Sequence, residues 1–283
     1  MKMLTLIVFL LIVGGLGTVE EPHPDGTIIV VDASQGELVI AADSREAGTR
    51  SYDDQGCKIS TFGNEFVFTA AGRPGLRNRP ESAFWDAHAV AKKEFIRLVG
   101  KSASNQPTST EFARAWGRAI KREIESRIAH PKDHLLAGIS DNLIMKGFFG
   151  RISEDGSVDA TFVAVTYQLA GDTIQIQVSA PQVLVWPNDF PQVFGRGDIL
   201  AELRKGSFLS ETWRRELDRK VHGSGDEAAT EAIESVRLTI DHLPAERTDV
   251  NGRPFSVVGY PISAVKATRR GIAWIQKGNC PQD

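Results

Sequence analysis

Thr27-Ile28-Ile29-Val30-Val31 and Leu38-Val39-Ile40-Ala41-Ala42, joined by Asp32 to Glu37, decide the fold class. Both runs are almost continuously apolar and rich in β-branched residues. A strand with one wet face alternates apolar and polar side chains, whereas a strand covered on both faces does not. The two runs therefore read as a hairpin in the interior, with further layers above and below. Phe66-Val67-Phe68-Thr69-Ala70-Ala71, ending at Gly72, reads as another such strand.

Outward from this nucleus the periodicity changes. Phe84, Ala87, Ala91, Phe95 and Leu98 recur at helical spacing, with Gly100 as a stop. Thr108 and Glu111 form a capping-box pattern ahead of a stripe of Phe112, Trp116, Ile120, Ile124 and Ile128, and Pro131 ends that helix. The Trp and Phe positions are read as core. Strands are predicted over Leu143–Phe149, Ala160–Leu169 and Thr173–Trp186, with turns at Asp155-Gly156 and Gly171-Asp172. Helical patterning returns over Asp198–Lys205 and Asp226–His242, where Ala229, Ile233, Val236 and Ile240 share a face. Strands follow over Phe255–Val258, Ile262–Ala267 and Ile272–Gln276. Strands, two helices, strands, helices and strands in this order predict an α+β protein, a four-layer α-β-β-α sandwich of two mainly antiparallel sheets.

The first residues stand apart. Lys2 precedes an uncharged, mostly apolar run from Met3 to Val19, with small residues at Gly15 and Gly17. That is the pattern of a secretory signal peptide, and the run is at the short limit of a membrane anchor. Residues 1–17 are assigned to a signal peptide or anchor, 18–26 to a leader, and 27–283 to the folded domain. The expected location is secreted, periplasmic or membrane-anchored. An exported setting permits a disulfide between Cys57 and Cys280, the two cysteines of the chain, and sequence leaves open whether they pair or stay separate thiols. The net charge of −3 offers no electrostatic reason for a nucleic-acid partner. The six histidines are scattered; His130 and His134 flank Pro131, which disfavours the helix that would align them on a metal.

Gly26-Thr27, then Ala41-Ala42-Asp43-Ser44-Arg45, then Lys58-Ile59, then Thr69-Ala70-Ala71-Gly72 follow one another at a characteristic spacing. Asp43 lies 16 residues after Thr27, Lys58 15 after Asp43, and Gly72 14 after Lys58. This order resembles the opening of the proteasome β subunits, members of the N-terminal-nucleophile hydrolases, over residues 26 to 73. The resemblance implies a catalytic set of Thr27, Asp43, Lys58 and Gly72. A threonine hydroxyl attacks poorly until a base takes its proton. Cleavage of Gly26–Thr27, by autoprocessing or by another protease, would make the α-amino group of Thr27 that base, and its ordinary pKa of about 8 suits neutral pH. Lys58 would favour the developing alkoxide, Asp43 would orient Lys58, and Gly72 would offer a backbone N–H to the oxyanion. Arg45 belongs to the supporting shell. The α-amine supplies the base, so no cofactor is implied. The expected partners are a peptide or small amide substrate and further copies of the chain, since ring assembly is a family habit.

The chain also departs from the family pattern. Thr27 is not its first residue. Where the family has Gly-Ser-Gly before its third helix, Gly195-Arg196-Gly197 is the positional counterpart, while Ser224 of Gly223-Ser224-Gly225 reads as a helix N-cap. Asp249 and Ser263 are candidates for the family's remaining Asp and Ser, which support the free amino terminus. Proteasome α-type subunits keep much of this opening without hydrolysing anything, so the alternative expectation is a non-catalytic scaffold or assembly module.

Overall fold

The computed structural model describes residues 27–47, 52–72, 85–100, 106–128, 142–170, 173–189, 191–196, 200, 208–222 and 224–280. The opening runs form β1 (Ile28–Ser34) and β2 (Glu37–Asp43), an antiparallel hairpin closed at Gln35-Gly36, where Gly36 takes a φ of +79°. Two short strands, β3 (Glu46–Ala47) and β4 (Tyr52–Asp53), pair with each other beyond it. The segment then enters a second sheet through β5 (Ile59–Phe62) and β6 (Phe66–Gly72).

Helices α1 (Ala87–Val99) and α2 (Ser109–Arg127) follow. Asp86 caps α1 by accepting from the N–H groups of His88 and Ala89 at 2.9 and 3.0 Å. Thr108 and Glu111 form both halves of the expected capping box on α2. Then come β7 (Leu143–Ile152), β8 (Val158–Ala170), β9 (Thr173–Val178), β10 (Gln182–Leu184) and β11 (Gln192–Gly195). The chain continues through α3 (Phe208–Val221), α4 (Glu227–His242), β12 (Arg247–Thr248), β13 (Pro254–Phe255), β14 (Ile262–Thr268) and β15 (Gly271–Gln276).

Two large sheets result, one ordered β11-β1-β2-β14-β15 and the other β10-β8-β7-β6-β5, with β9 also paired to β8. Every strand pair among the described residues is antiparallel. The two-sided burial expected of β1 and β2 is present. Ile29, Val31, Leu38, Ile40 and Ala42 pack against Ile59, Val67, Phe148 and Ala160 of the other sheet. The alternate residues Ile28, Val30, Val39 and Ala41 face Ala229, Ala232 and Val236 of α4. On the far side Phe68, Met145, Phe149 and Val163 pack on Ala91, Phe112, Trp116 and Ile120 of α1 and α2. Each fully buried aliphatic or aromatic side chain contributes about 2 kcal/mol of burial, so the period-2 alternation between two cores locks the register of β1.

Four expectations need correction. The single strand over Thr173–Trp186 is broken between β9 and β10, because Pro181 has no N–H to give a ladder. There Ser179 Oγ accepts from Ala164 N at 3.0 Å in place of a backbone partner. The strand over Phe255–Val258 shrinks to β13, paired with β12. Helix α4 is capped by Asp226, whose side chain accepts from Ala229 N, rather than by Ser224, whose Oγ instead accepts from Asp226 N at 3.4 Å. Helix α3 was not anticipated; the helix predicted over 198–205 lies outside the described residues except for Leu200, which joins the core under α4. The segment 1–26 and the two histidines His130 and His134 also lie outside the described residues. Among those described, no helix is long and apolar enough to cross a membrane.

Candidate active site

Asp43 ends β2 between two neighbours, β1 and β14, and is fully buried. Its carboxyl accepts four hydrogen bonds. Oδ1 takes Lys58 Nζ at 2.7 Å and Ile28 N at 2.9 Å; Oδ2 takes Arg45 N at 3.1 Å and Gly259 N at 3.2 Å. Burial raises the Asp43 carboxyl above its ordinary value, while Lys58 and the N–H groups of Ile28 and Gly259 pull it back. Four donors on two oxygens form a shell matched to the ionised form, which only accepts.

Lys58 comes from the opposite sheet, immediately before β5, and is itself buried. Its carbonyl accepts from Thr69 Oγ1 on β6 at 2.7 Å, which fixes the backbone from which the side chain crosses to Asp43. Thr27 is buried at the head of β1. Its carbonyl accepts from Arg196 N at 2.6 Å, extending the β1–β11 ladder by one residue, while the N–H that follows it binds Asp43 Oδ1. Thus the Lys58 ammonium and the Thr27–Ile28 peptide share one acceptor atom. The structure brings Thr27, Asp43 and Lys58 together at one end of the sandwich.

The approach of β11 depends on Gly195. Its φ is +87°, and a Cβ there would lie 1.9 Å from the Thr27 carbonyl oxygen. Arg196, the expected counterpart of the resembled family's serine, buries its guanidinium in a two-pronged pair with Glu246. Arg45 is a clamp. It holds Asp54 through Nε and Nη2 at 2.6 and 3.0 Å and the Ser256 carbonyl at 3.0 Å, and it lies against Gly259, whose N–H reaches Asp43. Gly72 has a φ of +101°, and a Cβ would lie 2.6 Å from Ile144 O. Its need for glycine is therefore accounted for by the packing of β6 on β7.

Asp249 and Ser263 do not join the cluster. Asp249 Oδ1 closes its own turn by accepting from Asn251 N and Arg253 N, both at 2.8 Å. Ser263 Oγ donates to the Lys277 carbonyl at 3.1 Å. Sequence reasoning missed Gly259, which no local signal ties to residue 43. It also assigned nothing to Ser44, whose Oγ is buried without a hydrogen-bond partner among the described residues. Extending the β1–β2 register, in which Ile29 faces Ala42, places Ser44 across from Thr27. The open question of the cysteines is answered: Cys57 and Cys280 form a disulfide, with Cα atoms 4.8 Å apart and a separation of 223 positions in sequence.

No model of a known protein family and no curated protein matches the chain. Fold and geometry therefore define its class: an α+β protein of two packed antiparallel sheets, with a buried ammonium–carboxylate pair beside Thr27, the residue that precedes the first strand. Among the described residues no group of His, Cys, Asp and Glu is arranged to hold a metal ion.

Proposed function

We propose that the chain is an exported amide-bond hydrolase of the N-terminal-nucleophile kind, similar to a proteasome β subunit, acting through Thr27 once Gly26–Thr27 is cleaved. The observation that carries this reading is the sharing of Asp43 Oδ1 between the Lys58 ammonium and the peptide that follows Thr27. In the freed enzyme the α-amine takes the hydroxyl proton, Lys58 stabilises the alkoxide and Asp43 keeps Lys58 charged and aimed. The substrate is a peptide or small amide. A disulfide of this kind persists in an oxidising compartment, which supports export.

A non-catalytic scaffold of the same fold is the second reading, and a specific observation favours it. Arg196, the expected counterpart of the family's serine, pairs with Glu246, while Asp249 closes its own turn and Ser263 donates to the Lys277 carbonyl. Intact-mass measurement of the mature protein separates the two. A species beginning at Thr27, with maturation and amidase activity both abolished in Thr27→Ala, is expected for the hydrolase. A mature species that retains Asp25-Gly26, or Thr27→Ala protein with unchanged amidase activity, rules out the assigned nucleophile.

A further inference from the structure

Cys57 is the residue directly before Lys58, and its disulfide partner Cys280 stands just beyond the end of β15, in the other sheet. The bond thus ties the backbone that launches the site lysine to the sheet that carries the site carboxylate. Other contacts converge on the same short segment. Asn279 Nδ2 donates to the Asp54 carbonyl at 2.6 Å, Arg45 grips the Asp54 carboxylate, and Gly56 N donates to the Ser44 carbonyl at 3.0 Å. Cys280 Sγ lies 3.4 Å from Ser263 Oγ on β14, the strand paired with Asp43.

The geometry points to the Cys57–Cys280 disulfide as the positioning device for Lys58, making the assembled Asp43–Lys58 pair conditional on an oxidised bond. Residues 54 to 58 form no long strand of their own. They are held on one side by Thr69 and on the other by Arg45, Asn279 and the disulfide. Lys58 reaches Asp43 across the gap between two sheets, so its position depends on how those sheets are fastened at this end. Two-electron reduction by a dithiol breaks the sulfur–sulfur bond to give two thiols, while the dithiol closes to its own disulfide. The covalent tie is then lost, and Lys58 opens to solvent while the cores on either side persist. This regulation goes beyond the hydrolase reading, because it concerns the ion pair whether or not Thr27 attacks anything.

The test is lysine acylation of the full folded chain, read residue by residue by mass spectrometry, with and without dithiothreitol. Thiol alkylation confirms that the bond is open. Lys266, held between Glu37 and Asp226 on β14, reports on the sheet itself. The expected result is that Lys58 labels about tenfold faster after reduction while Lys266 does not change. Lys58 remaining slow would overturn the proposal, and so would Lys58 and Lys266 accelerating together, since the bond would then hold the whole fold. Where dithiothreitol fails to open the bond, Cys57→Ala/Cys280→Ala carries the same readout, and failure of that variant to fold also overturns local positioning. None of these outcomes depends on amidase activity, so failure here is distinct from failure of the hydrolase reading.

Discussion

Two buried aspartates sit at opposite ends of the same hairpin, and their surroundings differ sharply. Asp43, at the open end, has Lys58 and three backbone N–H groups around it. Asp32, near the turn, accepts from Ala33 N at 2.7 Å, and among the described residues no ion pair reaches it. Burial pushes the Asp32 carboxyl up to about 6, with Glu231 on α4 adding a repulsive charge. Burial alone thus opposes a carboxylate; what makes one tolerable is the number of donors aimed at it. The protein thus surrounds Asp43 with four donors and leaves Asp32 with one.

The comparison can be broken at several points. Lys58→Met should have the largest effect, lowering unfolding free energy by about 3–5 kcal/mol, because it leaves the Asp43 charge buried without its cation. Denaturant titration measures this, and a loss below about 1 kcal/mol would show the pair to be solvated. Asp32→Asn should act in the opposite direction at neutral pH. The folded pKa of about 6 exceeds the ordinary 3.8. The stability linked to this group is therefore fully present below the unfolded value and lost as pH rises through the folded one. The variant should gain roughly 2 kcal/mol over the parent at pH 7 and nothing near pH 3. Parallel stability–pH curves for the two proteins would refute that account. Ser44→Ala is the smallest change. Removing a buried hydroxyl without a partner should leave stability unchanged or raise it by about 1 kcal/mol. A loss of about 1 kcal/mol or more would mean that the hydroxyl has found a partner in solution.

The hairpin, the helices α1, α2 and α4, and most long strands were legible because each carries a local signal. Apolar continuity marked β1 and β2, and the Thr108–Glu111 pair marked the start of α2. Helix α3 was missed because half of its residues are charged. The break at Pro181 was missed because apolar residues recur on both sides of it, at Ile174, Ile176 and Val178 and again at Val183 and Leu184. Of the site, Thr27, Asp43 and Lys58 were legible as a spaced set. Gly259 and Glu246 were not, since they reach the site from more than 200 residues after Thr27 through side-chain and loop geometry.

What the amino-acid order determined by itself is local: where strands and helices form, which faces are apolar, and which residue types recur at the resembled spacing. Tertiary structure alone decided that Lys58 meets Asp43, that Cys57 bonds Cys280, and that Gly259 supplies a donor. These pairings join elements from different sheets or distant segments, and no periodicity records a contact between them. Their energies depend on burial, and burial exists only after the sheets have closed on each other.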